Sequence, residues 1–327
     1  MHRTLVARLD RFALNRPFRI SRGVKTVAEV VTVGLNHGGV EGRGEGVPYA
    51  RYGESAESVL SQIEGARRSI ESGADRAELM KLMPAGAARN ALDCALWDLE
   101  AKRAGRSVAE LLGTPAPGPI ATALTVAIDT PSAMARAAAA IASAPLIKVK
   151  VDADAPAAAI GAVREAAPTA ALIVDPNESW SEAIVRAAMP VLEECRVDLL
   201  EQPVPAEKDE WLEHYDSPVP ICADEAIHTV AELDRVAARY DAVNVKLDKA
   251  GGLTAALELA GAARAHGLKL MCGCMISSSL GIAPALHVAR FADWADLDGP
   301  LWLVQDRPGG VRGGDGWLAP PHREFWG

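Results

Sequence analysis

The sequence predicts an α/β protein: an eight-stranded (β/α) barrel, a modified TIM barrel, preceded by a smaller α+β domain that caps it. After residue 119, short apolar segments recur at intervals of about 25 residues, and alanine-rich helical segments fill most of the gaps. Strands that alternate with helices at this period are typical of a parallel sheet, and eight of them close into a barrel. An open doubly wound sheet is the alternative arrangement. The 327 residues accommodate such a barrel and a second domain.

The capping domain is predicted over residues 1–115. Apolar or alternating runs at 3–14, 26–36 and 41–47 predict a small antiparallel sheet. One helix is predicted to begin at Ser55 and another to cover 87–104, where leucines recur at helical spacing and Gly105 is a stop signal.

A cluster of Pro and Gly over 115–119 marks the domain boundary, so the barrel domain is assigned to 116–300. Glycine pairs make the last segment, 301–327, loop-like, and it is expected to pack on the capping domain. The eight barrel strands are predicted near 122–128, 146–152, 171–175, 197–201, 219–224, 242–247, 268–274 and 293–298.

Composition excludes several classes of protein. A formal net charge of −9 argues against a nucleic-acid-binding protein, which needs clustered Lys and Arg for phosphate contacts. No stretch has the length of a membrane span, and the N-terminus lacks the apolar run of a signal peptide. The five cysteines are scattered, as expected for reduced thiols in a cytoplasmic protein. Neither the charge nor the composition fixes the oligomeric state, and a homo-oligomer is compatible with both.

Acidic residues end three successive predicted strands: Asp175 on the third, Glu201 on the fourth and Asp224 on the fifth. The carboxyl ends of barrel strands meet at one face, where active sites lie. Three converging carboxylates repel one another unless a cation lies between them, and oxygen ligands favour Mg²⁺, with Mn²⁺ also fitting. The sequence therefore predicts a divalent-metal site. The alternative for each acidic residue is a helix N-cap.

Lysines flank this predicted metal site. Lys148 and Lys150 are two residues apart on the second strand and therefore share its inner face, and Lys246 lies on the sixth. Strands two and six are diametrically opposite in a ring of eight. Lys150 and Lys246 could thus remove a proton from one face of a carbon atom and return one to the other. Lys148 is expected to lower the pKa of Lys150 by like-charge repulsion.

Strand alternation also directs Asp296 and Asp298 of the eighth strand inward, although Asp298 could instead cap the turn at Gly299-Pro300. Lys249 is out of register with Lys246 and is interpreted as structural. Glu225 is left out of the metal ligands and is interpreted as an outward-facing residue or a partner in an ion pair.

Several motifs resemble the enolase superfamily, in its muconate-lactonizing subgroup, across essentially the full length of the chain. They are Lys148-Val149-Lys150, Asp175-Pro176-Asn177-Glu178-Ser179-Trp180, Glu201-Gln202-Pro203, Ala223-Asp224-Glu225 and Lys246-Leu247-Asp248-Lys249-Ala250-Gly251-Gly252. Within the subgroup, stretches 18–23 and 48–54 and Asp296-Leu297-Asp298 look most like the dipeptide epimerases that act on L-Ala-D/L-Glu.

The resemblance implies a Mg²⁺-dependent isomerase that inverts the α-carbon of the C-terminal residue of a dipeptide, as in the recycling of cell-wall peptides. It implies that Asp296 and Asp298 hold the ammonium group, and that Arg22 or its neighbour Arg19 holds the side-chain carboxylate of Glu. The stretch 277–279 is similar to a substrate-lining segment.

The same scaffold supports other functions. N-succinylamino-acid racemases, o-succinylbenzoate synthases and muconate cycloisomerases are the rival enzymes, and a ligand-binding barrel without chemistry is the rival from another class. The pair Asp296 and Asp298 argues against the rival enzymes, because a substrate without an ammonium group would face two unpaired buried carboxylates.

Overall fold

The computed structural model describes residues 3–327. The first part of this range contains β1 (Arg3–Ile20), β2 (Gly23–His37), β3 (Val40–Gly46), α1 (Ala56–Glu71), α2 (Arg76–Leu82), α3 (Ala87–Ala104) and α4 (Val108–Leu112). The second part contains β4 (Ile120–Ala121), β5 (Leu124–Val126), α5 (Pro131–Ala139), β6 (Leu146–Lys150), α6 (Pro156–Ala166), β7 (Ala171–Asp175), α7 (Glu182–Glu194), β8 (Leu199–Glu201), β9 (Ile221–Ala223), α8 (Leu233–Ala237), β10 (Ala242–Val245), α9 (Leu247–Ala250), α10 (Leu253–Ala265), β11 (Lys269–Gly273), α11 (Ser279–Ala289), β12 (Trp294–Asp296), β13 (Arg312–Gly314) and β14 (Trp317–Ala319).

Strands β5 to β12 form one parallel eight-stranded sheet in chain order. The two ends of this sheet meet where Ala123 N donates a hydrogen bond to Ala295 O at 2.8 Å, which closes the sheet into a barrel. The predicted barrel is confirmed, and the open doubly wound sheet is wrong. Each strand lies within its predicted range. Apolar side chains fill the lower half of the barrel: Ala123, Leu146, Ile173, Leu199, Cys222, Ala242 and Met271.

The N-terminal sheet has the order β1-β2-β3 and is antiparallel, as predicted. β1 and β2 extend beyond the predicted runs to a tight turn at Ser21 and Arg22, and this hairpin reaches the mouth of the barrel. Two short helices, α2 and α4, were not predicted. Each begins with a capping box, from Asp75 to Glu78 in α2 and from Ser107 to Glu110 in α4, which is the signal that indicates them.

Helix α3 packs directly against β3 because alternate residues of that strand are glycines. A Cβ atom on Gly44 would lie 2.1 Å from Ala91 O, and one on Gly46 would lie 2.1 Å from Ala87 O. Real Cβ atoms do not approach a backbone oxygen this closely, so larger residues would force the helix away from the sheet.

Helix α3 also docks on the barrel just after β10. Arg89 Nη2 donates to Ala250 O at 2.6 Å, and Asn90 Nδ2 donates to Asp248 Oδ1 at 2.7 Å. These bonds fix the position of α9, which follows Lys246 directly. The capping sheet thereby determines where one of the predicted catalytic lysines lies.

The C-terminal segment contacts both parts of the chain. The expectation of a loop is wrong for 312–319, where β13 and β14 form a small antiparallel sheet with β4. Beyond this sheet, Trp326 Nε1 donates to Arg43 O at 3.0 Å and Gly327 N donates to Asp98 Oδ1 at 2.8 Å. No helix within residues 3–327 has the length and apolar character needed to cross a bilayer.

Arg307 joins the sheet, the barrel and the C-terminal segment at one point. Its guanidinium group donates to Glu45 Oε2 at 2.8 Å, to Asp10 Oδ2 at 3.0 Å and to Ser278 Oγ at 2.7 Å. Glu45 is 1% exposed, and burial raises its pKa although Arg307 opposes the shift. The buried carboxylate therefore depends on this one cation.

We expect the substitution Arg307→Met to lower the free energy of unfolding by about 3 kcal/mol at neutral pH, because it leaves Glu45 charged and buried without a counter-ion. The folded-state pKa of Glu45 lies above its ordinary value of 4.5. The loss of stability in the variant should therefore disappear below pH 4.5, where the carboxyl group is protonated in both the folded and the unfolded state, and should grow as the pH rises above it. Urea denaturation at pH 4 and pH 7.5 measures both effects. Arg312→Met, on an exposed arginine of β13, is the control. An equal denaturation midpoint for the two variants at pH 7.5 would contradict this account.

Candidate active site

A cavity of about 420 Å³ lies at the C-terminal end of the barrel strands, beneath the β1–β2 hairpin and the segment 49–52. Such a position is where the active sites of (β/α) barrels are built. Its lining includes three predicted lysines and three predicted aspartates of the barrel. The charged residues of the lining are Arg22, Lys25, Arg51, Lys148, Lys150, Asp224, Glu225, Lys246, Asp296 and Asp298.

The three carboxylates predicted to hold a metal come from adjacent strands, as expected. Asp175 ends β7, Glu201 ends β8 and Asp224 follows β9, and each is no more than 1% exposed. Asp224 lines the cavity, whereas Asp175 and Glu201 are not among its lining residues. Asn244 Nδ2, which sequence reasoning missed, donates to Glu201 Oε1 at 2.9 Å.

Lysines surround these carboxylates. Lys148 Nζ lies 3.0 Å from Asp175 Oδ2 and 2.7 Å from Glu201 Oε2, and it donates to Asp296 Oδ2 at 2.8 Å. The carboxylates of Asp175 and Asp224 also accept hydrogen bonds from the two lysines predicted to act as bases. Lys150 Nζ donates to Asp175 Oδ2 at 2.5 Å, and Lys246 Nζ donates to Asp224 Oδ2 at 2.6 Å.

Lys249 also turns towards the site. Its Nζ donates to Asp224 Oδ1 at 2.6 Å, and the side chain is buried. The residue holds Asp224 in place, which agrees with the structural role predicted for it. The prediction rested on strand alternation, but Lys249 lies on the short helix α9, where residue three after Lys246 returns to the same side.

The pKa values reflect this pairing. Burial would lower the pKa of Lys148, but Asp296, Glu201 and Asp175 outweigh burial and raise it. Burial would also lower the pKa of Lys246, but the charges of Asp224 and Glu201 outweigh burial and raise it. The raised pKa of each of these two lysines follows from the buried carboxylates beside its ammonium group.

The donor set fits a hard divalent cation. Glu201 Oε2 is buried and accepts no hydrogen bond of acceptable geometry, although Lys148 Nζ is near it. Burial, then the neighbouring Asp175, raises the pKa of Glu201 to about 7, which is the effect expected where a positive charge is missing. Within residues 3–327, no group of three or more His, Cys, Asp or Glu side chains is close enough to hold a metal as it stands. The lysines take up the space between the carboxylates instead.

Asp296 and Asp298 both face inward, as predicted. Asp298 Oδ2 accepts hydrogen bonds from Thr125 N at 2.9 Å and Trp302 Nε1 at 3.1 Å, so its carboxylate does not cap the following turn. Asp296 Oδ1 is buried and has no donor. Burial and then the charge of Asp296 raise the pKa of Asp298 to about 6. The pair offers a site for a positively charged group at the cavity wall.

The two predicted arginines have different positions. Arg22, at the tip of the β1–β2 hairpin, lines the cavity, whereas Arg19 is exposed and is not part of the lining. Arg22 Nη2 donates to Glu225 Oε1 at 2.6 Å. Glu225 is therefore a buried partner in an ion pair and not outward-facing, and burial, then Asp224, raises its pKa to about 7.

The segment 49–52 is fastened to the barrel by Arg51. Its guanidinium group forms a bidentate pair with Glu178, through Nε to Oε2 at 2.8 Å and Nη2 to Oε1 at 2.9 Å. Asn177 and Glu178 have φ angles of 47° and 65°, a strained conformation for residues other than glycine. This loop conformation aims Glu178 at the capping segment and Asn177 Oδ1 at Lys150 Nζ, 3.1 Å away.

The segment 277–279, expected to line the substrate, is not part of the cavity lining. Ser278 Oγ donates to Glu45 and Ser279 Oγ to Asp306, so these hydroxyl groups fasten the barrel to the capping sheet and the C-terminal segment. Tyr49, Tyr52 and Lys25 of the capping residues do line the cavity, although sequence reasoning did not select them.

Comparisons with known proteins agree with this architecture. Residues 2–113 match the N-terminal domain of the mandelate racemase/muconate lactonizing enzyme family, and residues 132–322 match its enolase C-terminal domain-like family. The L-Ala-D/L-Glu epimerase of Escherichia coli is 48% identical over 93% of this chain and 95% of the relative. The N-acetyl-D-glutamate racemase of a Pseudoalteromonas species is 45% identical over 88% of this chain and 91% of the relative.

Two solved structures are also closely similar. An enolase family member from Agrobacterium tumefaciens with homology to dipeptide epimerases, solved with sodium and L-Ala-L-Glu, has a TM-score of 0.97 and 45% identity over 99% of this chain and 100% of that one. A dipeptide epimerase from Enterococcus faecalis, solved with Mg and L-Leu-L-Tyr, has a TM-score of 0.91 and 27% identity over 98% of this chain and 97% of that one. This chain therefore belongs to the enolase superfamily, with both domains of its mandelate racemase/muconate lactonizing enzyme family.

Proposed function

We propose that this protein is an isomerase, a divalent-metal-dependent dipeptide epimerase that inverts the α-carbon of the C-terminal residue of L-Ala-D/L-Glu. The observation that carries the proposal is that Lys150 and Lys246 face one cavity from β6 and β10, which lie four strands apart in the ring of eight. The names of the relatives from Escherichia coli and Agrobacterium tumefaciens support the choice of substrate.

Asp175, Glu201 and Asp224 are the proposed metal ligands, with Mg²⁺ as the metal and Mn²⁺ as a substitute of the same oxygen preference. When bound, the ion acts as a Lewis acid that stabilises the charge developing on the substrate carboxylate. Asn244 and Lys249 orient Glu201 and Asp224. Lys148 supplies a fixed positive charge beside the carboxylates, so its role is electrostatic.

The proton transfer itself is assigned to Lys150 and Lys246. For one epimer, the neutral amine of Lys150 takes the α-proton and becomes an ammonium group, and the ammonium group of Lys246 delivers a proton to the opposite face and becomes neutral. For the other epimer, the two lysines exchange these roles. Asn177 positions Lys150 because its Oδ1 accepts a hydrogen bond from Lys150 Nζ. The segment 49–52 and the β1–β2 hairpin cover the cavity and limit the access of water to the reacting carbon.

Asp296 and Asp298 are proposed to bind the ammonium group of the dipeptide. Asp296 Oδ1 has no donor in the described structure, and an ammonium group would supply one. Arg22 is proposed to contribute to binding the side-chain carboxylate from the hairpin above. We further propose that the reaction takes place in the cytoplasm and serves the recycling of cell-wall peptides, a proposal that rests on the resemblance to dipeptide epimerases.

Racemisation of an N-acylated glutamate is the second candidate, because the structure weakens the argument from unpaired carboxylates. Asp296 is already paired with Lys148, and Asp298 already accepts two hydrogen bonds from the protein. A substrate with a neutral acyl group would leave only one fully buried oxygen of the pair, Asp296 Oδ1, without a donor. The Pseudoalteromonas relative, named for such a substrate, is nearly as similar as the epimerase.

Proton NMR in D₂O with Mg²⁺ separates the two candidates. With L-Ala-L-Glu, we expect loss of the Glu α-proton signal and appearance of the second diastereomer, at a higher kcat/KM than with N-acetyl-L-glutamate, because only the dipeptide offers an ammonium group to Asp296. A higher kcat/KM with N-acetyl-L-glutamate would favour the second candidate. If neither compound exchanges its α-proton, both candidate functions are excluded.

The proposed metal site predicts that Glu201→Gln lowers the affinity for Mg²⁺ at least about tenfold, because one anionic oxygen donor is lost from the set. Isothermal titration calorimetry measures the affinity without substrate. Glu207→Gln, on an exposed residue that pairs with Arg51, is the matched control and should bind Mg²⁺ as the wild type does. Treatment with EDTA should abolish turnover of the wild type, and Mg²⁺ should restore it. Unchanged Mg²⁺ affinity of the Glu201 variant would exclude this residue as a ligand.

A further inference from the structure

Gln202 lies directly after Glu201, where the chain leaves the barrel strand β8. The residue is fully buried, and its φ angle of 31° is a strained value for a residue other than glycine. Such a conformation persists only where the surrounding structure holds the residue in place. The backbone of Gln202 therefore depends on its hydrogen bonds to neighbouring segments of the barrel.

The side-chain amide of Gln202 uses all of its hydrogen-bonding capacity. Its Oε1 accepts from Asp224 N at 2.8 Å and from Ala226 N at 3.0 Å. Its Nε2 donates to Val204 O at 2.9 Å and to Tyr240 OH at 3.0 Å. An amide has two donors and two acceptor sites, so a glutamine fits this position and a glutamate, which lacks the two donors, does not. The amide thereby ties the backbone of Asp224 to the end of β8.

The backbone of Gln202 makes two further connections. Gln202 N donates to Cys222 O at 2.8 Å, which extends the ladder between β8 and β9. Gln202 O accepts from Glu178 N at 2.9 Å, so the loop that follows Asp175 at the end of β7 is also attached. One residue therefore connects the ends of β7, β8 and β9, where the three proposed metal ligands lie.

A buried network holds the amide in turn. Tyr240 OH, which accepts from the amide, donates to Asp209 Oδ2 at 2.8 Å. Asp209 is fully buried and also accepts from Arg235 Nη1 at 3.1 Å and from Arg239 Nη1 at 2.5 Å. None of these four residues lines the cavity, so a substrate bound there would not touch them.

We propose that Gln202 is a positioning residue that sets the spacing of the metal ligands on β7, β8 and β9, and thereby the size of the cation that fits between them. The inference rests on the proposed function for the identity of these ligands. Mg²⁺ requires oxygen donors at about 2.1 Å in nearly octahedral geometry, whereas Ca²⁺ accepts donors at about 2.3–2.6 Å in flexible arrangements. A site whose strands are held rigidly at the spacing of the smaller ion discriminates against the larger one, and a loosened site does so less.

The test measures the affinities for Mg²⁺ and Ca²⁺ by isothermal titration calorimetry, without substrate. Gln202→Met keeps the length of the side chain and removes its hydrogen bonds, and we expect the affinity for Mg²⁺ to fall at least about tenfold. The affinity for Ca²⁺ should fall less, so that the ratio of the Mg²⁺ affinity to the Ca²⁺ affinity drops about fivefold. Tyr240→Phe removes one partner of the amide and should lower this ratio by a smaller factor. Gln62→Met, on an exposed glutamine of α1, and Tyr215→Phe are the matched controls and should keep the wild-type ratio.

The ratio of affinities does not depend on the fraction of folded protein, because misfolded molecules change the stoichiometry and not the affinity of the rest. An unchanged ratio in Gln202→Met, or an equal loss of affinity for both ions, would overturn the inference. If that variant does not fold, an unchanged ratio in Tyr240→Phe would overturn it. The experiment needs no turnover, so failure of the epimerase proposal leaves its result unaffected. A wild type that binds neither ion would overturn the proposed metal site and this inference together.

Discussion

The balance of charge at the C-terminal end of the barrel is the constraint on which the site depends. Carboxylates that end three successive strands are fully buried, and burial of each would be prohibitive without positive charge beside it. Lys148 forms ion pairs with two of them, Asp175 and Glu201, and with Asp296 of the eighth strand. The proposed metal ion would add positive charge to the same three carboxylates.

The capping domain contributes to this balance through contacts far from the metal-binding end. Helix α3 approaches β3 closely because of its glycines, and its outer face holds α9, which follows Lys246. Arg307 fastens Glu45 of the sheet to Ser278 of the barrel. The same sheet continues into the hairpin that carries Arg22 and Lys25 over the cavity. The position of the hairpin and the position of the proposed catalytic base Lys246 thus depend on one interface.

Most of the barrel could be predicted from the sequence because parallel strands and inward-facing charges follow simple periodicities. Asp175, Glu201, Lys148, Lys150 and Lys246 all lie where strand order and alternation place them. The division of the chain at residue 115 and the catalytic roles stay predictions. The inward turn of Lys249 was not predicted, because α9 interrupts the strand pattern immediately after Lys246.

Other features depend on contacts between segments distant in the chain, which no local pattern reveals. Arg22 and Arg19 are equivalent candidates in the sequence, and only the fold of the hairpin places one in the cavity and the other in solvent. The serines at 277–279 could not be distinguished from substrate contacts until Glu45 and Asp306 were found beside them. Asn244 did carry a local signal, because it lies two residues before Lys246 and shares its inner face.

Deuterium exchange in single-lysine variants shows whether Lys150 and Lys246 act on opposite faces of one carbon atom. Each of Lys150→Ala and Lys246→Ala would be incubated in D₂O with Mg²⁺ and either L-Ala-L-Glu or L-Ala-D-Glu. We expect that neither variant interconverts the two epimers. Each should still exchange the α-proton of one epimer, and the two variants should differ in which epimer they exchange. Interconversion by either variant, or exchange of the same epimer by both, would contradict the two-base arrangement.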